Sequence, residues 1–160
     1  MSKENLCREY RLKSYLNMNH YITINGRQGQ THPHTWEFVT TIIVAGDDFV
    51  EFRMFEDLIE QFLEKYQNQI LNMMEPFDII VPTIENVTDH FSEELQRLLR
   101  KHRGELVSLE GSETPTRSYI VSHRNEPEFI EKVGKMKEQK ISEIVQYVVD
   151  QILEEQDGQI

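Results

Sequence analysis

The sequence predicts a mixed α+β domain, on three observations. Residues 6–16 alternate apolar and polar, and residues 34–45 are dense in β-branched and aromatic side chains, both marks of strands. Between 53 and 99 the apolar spacing changes to three and four, the period of amphipathic helices. Two more strand patterns follow at 105–110 and 116–123, so the expected order is β-β-α-α-β-β.

The first strand, LCREYRLKSYL, keeps Leu6, Tyr10, Leu12 and Leu16 on one parity and turns Glu9, Arg11 and Lys13 to water or a partner. Cys7 is the chain's single cysteine, so no internal disulfide forms and a structural thiol is expected. The second strand, HTWEFVTTIIVA, ends at the turn signal Gly46-Asp47-Asp48 and is expected to pair antiparallel with the first.

A helix is predicted over 53–71, with Phe55, Leu58, Ile59, Phe62, Leu63, Tyr66, Ile70 and Leu71 inward and Glu56, Asp57, Glu60 and Glu64 outward. Pro76 and Pro82 bracket an extended link. Thr83 is the expected N-cap of a second helix that turns Ile84, Val87, Phe91, Leu95, Leu98 and Leu99 inward. Arg100, Lys101 and Arg103 suit its C-terminal dipole, and Gly104 is expected to end it.

The last two strands are joined by GSETP, a turn expected to present Glu113 at a strand end. Beyond Pro127, Ile130, Val133, Ile141, Ile144, Val145, Val148 and Ile152 are spaced for one long or two shorter helices. The expected organisation is a domain over 1–124 and a helical extension over 125–160, packed on the body or on a neighbouring chain.

Composition removes several function classes. Lys and Arg number 17 against 28 Asp and Glu, and a net charge of -11 repels a phosphate backbone, so nucleic acid is not an expected partner. The N-terminal MSKENLCREY has no apolar core, and runs such as Ile42 to Ala45 fall far short of the roughly 18 residues that cross a bilayer. A soluble, cytoplasmic protein without a membrane partner is expected.

The chemistry-bearing stretch is GRQGQTHPHTWEF. On a strand, residues two apart share a face about 7 Å from each other, so His32 and His34 can meet one ion. Two histidines are too few for a tight zinc site, and the third candidate is His20, at the end of the preceding strand across the Asn25-Gly26 turn region. Three imidazoles leave one tetrahedral position open, the pattern of catalytic zinc. Spacing alone fits equally a pair of surface histidines beside a proline turn. His90, His102 and His123 read as ordinary residues.

His20, His32-x-His34, Val50-Glu51-Phe52, Pro82-Thr83-Ile84-Glu85-Asn86 and Glu113-Thr114-Pro115 occur in this order over roughly residues 6–123. Together they resemble the 6-pyruvoyltetrahydropterin synthase / 6-carboxytetrahydropterin synthase family. The resemblance implies a tunnelling fold: an antiparallel sheet with two helices on one face, closing as a trimeric barrel, with two barrels stacked as a hexamer. It implies Zn2+ on His20, His32 and His34. It also implies a pterin whose 2-amino-pyrimidinone edge donates two N–H bonds to the Glu113 carboxylate, with Thr83 helping to hold the ring.

The departures are as informative. Gln28 stands where the family carries its proton-transfer cysteine, Gln67 and Asn68 stand where it carries an Asp-His pair, and Pro33 replaces a glycine between the histidines. An amide does not accept and return a proton near pH 7, so any base would be unconventional, such as Glu110 or Asp78. Two functions follow from the resemblance: zinc-assisted lyase or isomerase chemistry on a dihydroneopterin triphosphate-like substrate, or a catalytically inactive homologue that binds pterin as a regulatory or scaffold protein.

Overall fold

The computed structural model describes residues 8–44 and 52–157, without the side chains of 155–157. The order is β1 (Glu9–His20), β2 (Thr23–Ile24), β3 (Arg27–Gln28), β4 (His32–Val44), α1 (Phe52–Glu64), a 3₁₀ turn (Leu71–Met73), α2 (Ile84–Arg100), β5 (Gly104–Thr114), β6 (Arg117–Ser122) and α3 (Pro127–Asp157). The main sheet is antiparallel throughout, in the order β1-β4-β5-β6. The mixed α+β architecture is the one expected.

Register decides which face is buried. Leu16 pairs with Trp36 and Leu12 with Thr40, so alternate residues of β1 and β4 point to one side. There Leu16, Met18, Trp36, Phe38, Ile42, Leu106 and Leu109 pack against Phe55, Ile59 and Leu63 of α1 and Val87, Phe91, Leu95 and Leu99 of α2. Burying each such aliphatic or Phe side chain is worth roughly 1.5–3 kcal/mol, which fixes the register. Gly111 lets α2 come this close, because a Cβ there would run into the Thr88 hydroxyl and the Phe38 ring.

Several predicted boundaries move, each for a local reason. β1 runs past Leu16 to His20 and β4 starts at His32, because their antiparallel ladder continues to the His20–His32 pair. The helix predicted to reach 71 ends at Glu64. Asn68 turns into the left-handed region at φ 59, and the chain lies along the outer edge of β1. Tyr66 and Leu71 are still buried, from a turn and the 3₁₀ segment, whereas Ile70 is exposed. Leu6, Cys7, the Gly46-Asp47-Asp48 signal, Val50 and Glu51 lie outside the described residues.

Thr83 caps α2 as expected, its hydroxyl accepting from the Asn86 N–H at 3.2 Å. Gly104 does not end that helix: Arg103 takes the left-handed conformation, φ 62, and Gly104 opens β5. GSETP is not a turn, since Gly111 to Thr114 continue β5 and the turn falls at Pro115-Thr116.

The extension is one helix of 31 residues. Its Phe129 and Val133 pack on Ile43 and Val107, on the sheet face opposite α1 and α2. Arg100 ties this end down, bonding Glu105 at 3.0 Å and Glu128 at 2.8 Å. Among the described residues no helix is long and apolar enough to cross a membrane.

Candidate metal centre

Two adjacent strands and a short hairpin build the site. β1 ends at His20, β4 begins at His32 directly opposite, and His34 is one alternation further on the same face. The connection is the β2–β3 hairpin, whose Asn25 (φ 50) and Gly26 (φ 74) supply the two left-handed residues of a tight turn. One ligating nitrogen from each of His20, His32 and His34 lies within 4.8 Å of the others.

Glu113 completes the cluster from β5. Its Oε1 is 3.1 Å from His34 Nε2 and 3.9 Å from His20 Nε2. A strand residue, and not a turn residue, therefore brings the carboxylate in.

The outer partners set the tautomers. His20 Nδ1 faces the Pro82 carbonyl at 2.8 Å and His32 Nδ1 faces the Gln30 carbonyl at 2.8 Å. A carbonyl accepts only, so each Nδ1 carries the proton and leaves the Nε2 lone pair free. Among the described residues, the buried Nε2 atoms of His20 and His34 have no hydrogen-bond partner. Burial pushes both imidazoles below the usual histidine range, outweighing the Glu113 carboxylate that acts to raise them.

These facts bear on what the cluster can hold. The 3.1 Å approach of His34 Nε2 to Glu113 Oε1 does not form a hydrogen bond, so that nitrogen is available to give its lone pair to a cation. A divalent metal would satisfy the three imidazole lone pairs together, a donor set zinc accepts, with the Glu113 carboxylate beside it.

Beside the cluster is a cavity of about 300 Å³ whose lining includes His20, His32, Thr83, Glu85, Glu113 and Arg117. Thr83 reaches it because it caps α2, so helix start and cavity wall are one feature. Arg117 is a lining residue that sequence reasoning missed; its signal was its place just past the turn that follows Glu113. Glu85 belongs to the Pro82–Asn86 motif without having been singled out.

The positions tied to proton transfer sit elsewhere. Gln67 clips the edge of β1: its Oε1 accepts from Asn17 N–H at 2.9 Å and its Nε2 donates to the Tyr15 carbonyl at 2.8 Å. The Asn68 N–H donates to the Asn17 carbonyl at 2.6 Å. Gln28 is exposed on β3.

The alternative bases are not brought in either. Glu110 is three residues from Glu113 on the same strand and so points to the other face, where it accepts from the Ser118 hydroxyl at 2.6 Å. Asp78 is exposed in the link before α2 and does not line the cavity. His90 packs edge-on against Phe77, His102 is exposed, and His123 is buried between Ser92 at 2.6 Å and Glu126 at 2.9 Å.

Known structures share the fold. 6-Pyruvoyl tetrahydropterin synthase from Caenorhabditis elegans superposes with a TM-score of 0.62 at 15% identity, covering 72% of this chain and 95% of that one. The Plasmodium falciparum enzyme gives 0.56 at 19% identity, covering 73% and 98%. An uncharacterized protein from Wolinella succinogenes gives 0.52 at 14% identity, covering 75% and 100%. No curated protein sequence matches the chain. The family model described as 6-pyruvoyl tetrahydropterin synthase matches residues 9–124, which hold the whole sheet, α1, α2 and the histidine cluster, and the chain therefore belongs to that family.

Proposed function

We propose that the chain holds a zinc ion on His20, His32 and His34, binds a reduced pterin through Glu113 and Thr83, and performs lyase or isomerase chemistry on a dihydroneopterin triphosphate-like substrate. The observation that carries this reading is the convergence of three imidazoles on one another, two of them within 3.9 Å of the Glu113 carboxylate, beside a ligand-sized cavity. Zinc would supply Lewis-acid polarisation of a substrate oxygen. The Glu113 carboxylate would accept two N–H bonds from a guanidine-like ring edge, and Arg117 would offer a cation to the substrate's phosphates.

A homo-oligomer belongs to the same reading. β1 and β6 are the outer strands of the sheet, and edge pairing between copies would close a trimeric barrel that can stack as a hexamer. The cytoplasmic setting is part of this proposal.

A second reading, pterin binding without turnover, draws on one observation. Both polar atoms of the Gln67 amide are engaged with β1 backbone, so a structural clip stands where the family has a proton-transfer pair. Incubating the zinc-loaded protein with reduced pterin substrates decides between the two. Product that disappears in His34→Ala supports catalysis. Tight binding without product, at enzyme concentrations comparable with substrate, rejects it.

A further inference from the structure

We propose that the projecting half of α3, from Ile141 to Leu153, associates with the same segment of other copies as a parallel coiled coil. At 1.5 Å per residue the helix is about 46 Å long, whereas a four-stranded sheet is only about 19 Å wide. Phe129, Val133 and Met136 are the α3 residues seated on the sheet. Beyond them Ile141, Ile144, Val145, Val148, Val149 and Ile152 are each 43–56% exposed.

Their spacing names the occupant. Ile141, Val145, Val148 and Ile152 follow one another at four, three and four residues, a heptad seam. Every seam residue is β-branched, and Ile144 and Val149 widen the stripe on either side. That is the make-up of bundles with more than two helices.

Charge completes the case. Glu143 and Asp150, seven residues apart on the outer face, accept from Gln139 and Gln146 of the same helix at 3.2 and 2.8 Å. The positions flanking the seam are Ser142, Ile144, Val149 and Gln151, none of them charged. A foreign helix is commonly selected by charges at those flanks. Uncharged flanks with the acids turned outward fit a copy of the same segment, since like charges never meet.

The copy number rests on the trimeric ring proposed above. α1 and α2 cover one face of the sheet and α3 starts on the other, so a ring with the two helices outside gathers three α3 helices around its axis, all pointing one way.

Cysteine cross-linking of the full, zinc-loaded chain tests this. In a Cys7→Ser background, which removes the only native thiol, Val148→Cys is compared with Glu143→Cys under mild oxidation. Val148→Cys is expected to form inter-chain disulfides roughly tenfold or more faster, because paired helices hold their thiols at a high effective concentration. Equal rates, or no cross-link at 148 in an intact oligomer, overturn the proposal. Faster linking between Val145→Cys and Val148→Cys copies than between two Val148→Cys copies overturns the parallel arrangement. Light scattering separates the two readings: ring mass without preferential cross-linking sinks the coil alone, and cross-linking without ring mass sinks the ring alone.

Discussion

His34 carries two neighbours of opposite demand, a carboxylate at 3.1 Å and the other two imidazoles, and substitution there separates their roles. His34→Ala is expected to cut zinc affinity by more than the roughly 10–100-fold that losing an outer partner costs, read as metal content after dialysis. Glu113→Gln is expected to keep the metal and weaken pterin binding by about 10–100-fold, the worth of about 1.5–3 kcal/mol in a charge-assisted bond, read by fluorescence titration. Because burial holds His20 and His34 below the usual value of 6.5, the unfolded metal-free chain binds more protons than the folded one. Their stability contribution is present above pH 6.5 and is lost as pH falls through the lowered values, so the melting midpoint without metal should drop between pH 7.5 and pH 5.5. The histidine cluster was legible because a period of two and one strand pairing place all three residues. The Gln67 clip was not, because it joins residues 50 and 52 positions apart through a turn no local pattern marks.

At the scale of elements, what could be read was which positions are apolar, and what could not was which backbone carries them. Tyr66 and Leu71 continue the spacing of α1 and are buried, yet a left-handed Asn68 intervenes and places them by a turn and a 3₁₀ segment. GSETP has a turn's composition, but the ladder with β4 and β6 extends β5 through it and sets Glu113 on the histidine face. Gly111, inside that stretch, is where α2 meets the sheet. Gly111→Ala is expected to destabilise by about 1–3 kcal/mol, the usual cost of overpacking, measured as a shift in the urea midpoint. Adding Thr88→Ala should recover part of the loss, because it removes one of the atoms the new methyl meets.

Across the whole molecule, the proposed metal site and the fold would be linked, because the three histidines come from strands that pair only when the sheet has formed. Zinc at 100 times its dissociation constant is expected to add about 2.7 kcal/mol of stability, visible as a raised melting temperature that a chelator reverses. A chain without this linkage would melt at one temperature with and without zinc. The clip at Gln67 also bears on the homo-oligomer proposed above. Segment 67–69 already bonds the outward-facing backbone groups of Tyr15, Asn17 and Asn19, whereas among the described residues nothing bonds the outward-facing backbone of Glu9 to Ser14 along that rim. The open stretch matches the 6 residues of β6, the strand at the opposite rim. In the homo-oligomer proposed above, the last strand of a neighbour would find its vacant partners along Glu9–Ser14, and the side chain of Gln67 would act as the stop that keeps it from sliding further.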